Sequence, residues 1–313
     1  ATNKQDTHKE KEVRLRVSVI LDLLYMTPSR NSDHVTRYLY AFLNAVGLRF
    51  SDMTDPKMKL ILADISFINA AEQAKMYFQN DILKNTIHGV WTRMDSKYPF
   101  PQYKGITLIM TGFDLWSANE NVGGNITNSA DENGACTKSS VALSEDDGLT
   151  FSGVGSAAQA IARLLGAEYD FYNKDQSCQQ DRGYLLSSYN GISVHYNLST
   201  CGKEQIKKKL KDSDEQRRNC LFGEKATEKL PESRELPFDF FNRTNPCNLI
   251  YGVPSCVPLR NTTGCKVDCC LGGYVNKTVN KHDGTPCGGK NICSNGECIP
   301  DPRKIGNPLK KVN

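Results

Sequence analysis

The sequence predicts an α/β fold, with a mixed, mostly parallel sheet around a central helix and a small disulfide-rich C-terminal domain. Three observations lead there. Strand-like and helix-like periodicities alternate along the first 110 residues, which is the order of a parallel sheet with crossover helices. The run from Ser156 to Leu165 is small and aliphatic at helical spacing and stops at Gly166. Eight of the twelve cysteines crowd between Cys247 and Cys298 among Gly, Pro and Asn, as in a unit stapled by disulfides because its own core is too small.

The elements follow in order. Val13, Leu15, Val17, Val19 and Leu21 alternate with Arg14, Arg16 and Ser18, predicting a first strand. Ser32 or Asp33 is placed to cap a helix whose stripe runs through Val35, Leu39, Phe42, Leu43 and Val46, with Gly47 expected to close it. Lys57 to Phe67 alternates again, with Met58, Leu60 and Leu62 expected inward. Ile82, Leu83, Ile87, Val90, Trp91 and Met94 form a second helical stripe, and Ile106 to Met110 a short apolar strand. Trp116 to Asp147, rich in Gly, Asn and Ser, reads as a surface loop, and a last helix is expected near Lys203 to Arg218.

With 313 residues, two modules are expected. The division runs as an N-terminal tail, 1–12; a larger domain, 13–222; a linker, 223–245; a cysteine-rich domain, 246–301; and a C-terminal tail, 302–313. The net charge of +4 is small for this length and gives no reason to invoke nucleic acid. No apolar run approaches the roughly 18 residues of a membrane span. Twelve cysteines point to an oxidising, extracellular compartment, and sequons at Asn125, Asn197, Asn242, Asn261 and Asn276 fit a secreted glycoprotein.

Gln159 and Arg163 interrupt the central helix one turn apart, so both project from one face, and Tyr169 follows the glycine turn. This frame resembles the zinc-binding stretch of the metzincin metalloproteases, H-E-x-x-H-x-x-G-x-x-H-D, and within them the reprolysin (adamalysin) family. Gly166 and Asp170 match; Gln159, Arg163 and Tyr169 stand at the three histidine-ligand positions, and Ala160 at the general-base glutamate. Gly183-Tyr184-Leu185-Leu186-Ser187 resembles the family's Met-turn with Leu186 at the methionine position. The compact first domain and short cysteine-rich tail look most like the salivary reprolysin-like metalloproteases of ticks. The resemblance implies the family's fold, with an edge strand before the central helix, and the pairs Cys136–Cys220 and Cys178–Cys201. Among Cys247, Cys256, Cys265, Cys269, Cys270, Cys287, Cys293 and Cys298 the sequence leaves 105 pairings open.

The replacements remove zinc chemistry. An amide is a poor ligand, a guanidinium keeps its proton and repels a dication, and alanine accepts no proton. The expectation is a pseudoprotease with no metal cofactor, binding a host extracellular or plasma protein. Two other readings stay open: a carrier holding a small mediator in a pocket lined by Gln159, Arg163 and Tyr169, and an enzyme with a non-zinc reaction centre. The histidines, His8, His34, His88, His195 and His282, form no metal-binding spacing. Lys207, Lys208, Lys209 and Lys211, with Arg217 and Arg218, offer weak glycosaminoglycan contact, against the simpler reading of a solvated helix face interrupted by Asp212, Asp214 and Glu215.

Overall fold

The structure, a computed structural model, describes residues 12–25, 32–71, 104–117, 124–172, 174–188, 191–222, 230, 232–242, 244–256, 264–272 and 276–304. The tail before residue 12, the second helical stripe (Ile82 to Met94) and Asn261 lie outside these residues. So do the side chains of Asn125 and Asn276.

The larger unit is a layered α/β structure. Its sheet has the order β2-β1-β3-β7-β6, with β1 (Glu12–Leu21), β2 (Lys57–Phe67), β3 (Ile106–Thr111) and β7 (Val141–Glu145) parallel, and β6 (Asn128–Ala130) antiparallel at the edge. The fold class is therefore the expected one, a mixed and mostly parallel sheet of the metzincin-like kind. All five inward residues of β1 are fully buried, so the period-2 alternation there reports one covered face. In β2 a bulge after Leu62 shifts the register against Val17 and Ser18, and Ile61, Leu62 and Ala63 are buried together, while Met58 and Leu60 are only half-buried. Of the three residues expected inward in β2, only Leu62 is buried, so the expected alternation is not seen.

Helix α1 (Ser32–Leu48) lays its predicted stripe on the sheet but does not end at Gly47. Gly47 is helical, because Leu48 and Phe50, nearly inaccessible, continue the buried stripe past it. The segment read as a loop from Trp116 contains a hairpin, β4 (Leu115–Ser117) with β5 (Gly124–Ile126), and then edge strand β6 and β7. Three-residue strands carry too little periodicity to be seen in sequence, and only pairing defines them. The last helix is two helices, α3 (Thr200–Lys211) and α4 (Glu215–Phe222). Asp214 breaks them apart by accepting from the backbone N–H of Arg217, while Ser199 caps α3 through the N–H of Gly202.

Between α1 and β7 runs the central helix, α2 (Val154–Leu164), which packs on β6, β7 and α1. Gly166, at φ +102, ends it; a side chain there would also collide with Lys209. The chain after α4 returns as a strap. Asn44 Nδ2 donates to the carbonyls of Ser233 and Glu235, and Arg37 binds the Glu235 carboxylate. Helix α5 (Pro237–Phe240) then drives Phe240 edge-on into the stacked pair Tyr38 and Phe151, whose rings lie 4.1 Å apart.

The C-terminal unit holds helix α6 (Pro246–Tyr251), the hairpin β8 (Lys266–Cys270) with β9 (Asn276–Asn280), and a three-stranded sheet of β10 (Pro286–Gly288), β11 (Asn291–Ser294) and β12 (Glu297–Pro300). Its disulfides are Cys247–Cys269, Cys256–Cys270, Cys265–Cys293 and Cys287–Cys298; the larger unit carries Cys136–Cys220 and Cys178–Cys201. Leu236, Ile292 and Ile299 join the same hydrophobic cluster as the first unit's core. A buried ion pair, Arg49 with Asp283 at 2.8 Å, locks the two units, and Arg49 also donates to Ser294.

Candidate functional site

The site grows from α2 and the two segments that meet it. Gln159 is completely buried. Its Nε2 donates to the carbonyls of Leu185 and Ser188, each at 2.6 Å, and its Oε1 accepts from Asn128 Nδ2 at 2.7 Å and the N–H of Gly191 at 3.2 Å. A primary amide has two donor hydrogens and two acceptor lone pairs, so all four positions are filled from within the chain. Close approach makes this possible: a Cβ on Gly155 would lie 2.1 Å from the carbonyl oxygen of Gly191.

Arg163 sits one turn on. Its guanidinium lies 5.0 Å above the Tyr169 ring, while Nη1 donates to Glu132 at 3.2 Å and to the Ala167 carbonyl at 3.1 Å. Tyr169 in turn points its hydroxyl at Asn128 Oδ1, 3.5 Å away. Gln159 and Tyr169 are thus linked through Asn128, whereas Arg163 turns toward Glu132 and covers the phenol ring. The three side chains do not converge on one point. Asn128, on edge strand β6 and nearly fully buried, is the member that sequence reading missed. An I-T-N-S stretch in a polar loop gives no signal for it; only the pairing of β6 with β7 carries it to the helix.

The turn after Gly183 is fastened to the same place. Leu186 is buried, and its carbonyl accepts from the N–H of Asp170 at 3.1 Å. Asp170, almost inaccessible, accepts from Ser187 Oγ at 3.2 Å and Ser199 Oγ at 2.9 Å, so one carboxylate joins the end of α2 to the turn and to the start of α3. Ala160 is fully buried in the core.

These residues do not fit a zinc ion. The Gln159 oxygen already serves two donors, the Tyr169 hydroxyl faces Asn128, and a fixed cation occupies the second ligand position of the frame. Two other groups have metal-like spacing among the described residues: Cys265 with Cys287 and Cys298, and Asp175 with Cys178 and Cys201. Every cysteine in them is in a disulfide, so neither offers a thiolate.

Other candidates are placed as follows. His195 Nδ1 meets Glu297 Oε1 at 2.8 Å, but the nearby Ser193 hydroxyl donates to the carbonyl of His195 and is not aimed at its ring. On α3, Lys203 pairs with Asp52, Lys207 with Asp55, and Lys209 with Glu132; Arg217 is buried on the Ala135 carbonyl and Arg218 donates to the carbonyl of Lys211. Of the six cations in the run, Lys207 and Lys209 are thus paired with carboxylates, and Arg217 and Arg218 are held on carbonyls. Asn242 is exposed, and Asn197 is half-buried, with Nδ2 donating to Asp52.

A protein described as "A disintegrin and metalloproteinase with thrombospondin motifs like" from Bombyx mori is 23% identical over 333 residues, covering 97% of this chain. The chain is homologous to metalloproteinases. "A disintegrin and metalloproteinase with thrombospondin motifs 1" of Bombyx mori is 24% identical and covers 92% of this chain, and the "motifs 5" protein of Bos taurus is 26% identical over 48% of it. The metalloproteinase homologue spans only 47% and 28% of the length of the two silk-moth relatives. No family model matches. Six disulfides, and no helix among the described residues long and apolar enough to cross a membrane, accompany the homology.

Proposed function

We propose that this metalloproteinase homologue is a secreted, glycosylated pseudoprotease, of the salivary kind the sequence resembles, that works by binding. It blocks or sequesters an extracellular macromolecule of a host, in haemostasis or immunity, at least mole for mole because it has no turnover. The observation that carries the reading is Gln159: the side chain at the first ligand position spends its whole hydrogen-bonding capacity on Asn128, Leu185, Ser188 and Gly191. The cation of Arg163 and the methyl of Ala160 support it, since neither can do a ligand's or a base's work. A small-mediator carrier gains little from these contacts, because the amides that would line its pocket are bonded to each other.

The test is elemental analysis and proteolysis together. Full-length protein purified with added zinc is expected to carry well under one zinc per chain and to leave denatured casein intact over a day. Stoichiometric zinc with casein cleavage abolished by phenanthroline would overturn the proposal.

A further inference from the structure

We propose that Ile192 and Val194 are the contact ridge for a protein partner that presents an apolar recess, and that the C-terminal unit serves to hold this ridge out. The inference deepens the binding reading above and rests on it.

Ile192 and Val194 are 73% and 71% exposed, whereas no other large apolar side chain among the described residues exceeds the 49% of Leu149. Scattered exposed aliphatics are ordinary; two of this exposure, one residue apart, on an immobilised segment are not. The segment has no regular secondary structure, yet it is tied along its length. Gly191 N–H bonds Gln159, the Ile192 carbonyl accepts from Ser188 Oγ at 2.7 Å, and the N–H groups of Val194 and His195 both reach the Gly183 carbonyl. From the other side, Asn295 Nδ2 donates to the carbonyls of Ser193 and His195 at 3.0 and 3.2 Å, and Glu297 meets His195.

Asn295 and Gly296 form the two-residue turn of the β11–β12 hairpin, with φ of 47° and 81°. That turn is itself fixed. The N–H of Asn295 donates to Asp283, whose other oxygen holds buried Arg49. A buried ion pair thus sets the hairpin, and the hairpin sets the ridge. Pre-ordering of this kind lowers the conformational-entropy cost of binding, and branched aliphatic anchors gain most when they enter a dry recess.

The surroundings select the occupant. Ser193, His195 and Glu297 at the foot of the ridge give an apolar centre with a polar border, the layout of a protein interface. The carboxylate of Glu297 meets His195 through Oε1, and its negative charge favours a basic group on the partner's rim. Two side chains are too little apolar area to hold a bilayer, and the carboxylate repels anionic lipid.

The experiment immobilises the full chain and passes pooled mammalian plasma over it, in four forms: unaltered, Ile192→Ser with Val194→Ser, Asn295→Ala, and Leu149→Ser as an exposed-aliphatic control. Circular dichroism and urea midpoints verify that each form is folded. The expected result is a plasma protein retained by the unaltered and Leu149→Ser forms. Its affinity, measured after purification, should fall about thirtyfold in the double variant and about tenfold in Asn295→Ala, where the ridge is present but untied. Equal retention by the double variant would sink the ridge while leaving the binding reading intact, and no retained protein would sink both. Ridge-dependent binding to phosphatidylcholine–phosphatidylserine vesicles, or ridge-dependent dimerisation by sedimentation, with no plasma protein retained, would also overturn the proposal.

Discussion

Replacing His282 by Phe should uncover a pH dependence of stability that the unaltered protein conceals. Two buried groups titrate in opposite senses over one window. Burial pushes the Asp146 carboxyl up from 3.8 to about 6, against the N–H of Gly153 and the hydroxyl of Tyr38, which favour its charged form. Burial also pushes His282 down from 6.5 to about 4, opposed only by nearby Asp283, and its Nε2 has no hydrogen-bond partner among the described residues. Between pH 4 and 6 the folded chain holds the Asp146 proton and the unfolded chain does not, so stability falls as pH rises. Between pH 4 and 6.5 the unfolded chain holds the His282 proton and the folded chain does not, so stability rises with pH. Each shift is a little over two pH units, or about 3 kcal/mol, and the two nearly cancel. Urea midpoints from pH 4 to 7 should therefore vary little for the unaltered protein on account of this pair. His282→Phe, which keeps a ring against Phe241, should lose about 3 kcal/mol across the window as pH rises, and Asp146→Asn should gain a similar amount. Profiles for both variants parallel to that of the unaltered protein would refute the reasoning.

Other expectations follow from the same contacts. Gln159→Ala leaves two donors and two carbonyls without their partner in the interior and should cost about 4 kcal/mol in urea unfolding, whereas Arg163→Ala, which loses a partly exposed ring contact and ion pair, should cost about 1 kcal/mol or less. A larger loss at Arg163 than at Gln159 would move the structural centre of the site to the cation. Arg49→Ala strands Asp283 without its partner and should cost about 3–5 kcal/mol by the same assay, with faster amide exchange at Asn295; unchanged exchange there would separate the ion pair from the hairpin. Removing Cys136–Cys220, which closes 84 residues, should destabilise by about 4.5 kcal/mol against about 3 for Cys287–Cys298, which closes 11; the reverse order in thermal melts would contradict the loop-entropy account.

The contacts at Gln159 and Asp170 share a logic. In a metal site, ligand bonds tie helix, turn and following segment together; here the same three pieces are joined by one amide and one carboxylate. This filled hydrogen-bond network keeps α2, the turn at Leu186 and α3 in register. The surface that remains distinctive is then outside the helix, where Ile192 and Val194 stand on a segment bonded to both units.

Whatever depends on spacing within one segment was legible from residues alone. The alternation of Val13 to Leu21 and the stripe of α1 repeat at the period of the backbone itself, so burial on one side leaves a local record. The helix ending at Gly166 is equally local, since a left-handed residue is needed there and glycine supplies it. Gly47 shows where that inference stops: a glycine permits a turn, but the burial of Leu48 and Phe50 carries α1 past it. The partners of Gln159 lie 26 to 32 residues away along the chain, and Asn295 lies 102 residues from Ser193, so no short pattern encodes them. Tertiary structure alone decided that Asn128 completes the site, that Arg163 turns aside to Glu132, and which eight C-terminal cysteines pair, because long-range contacts are chosen by the free energy of the whole packed chain.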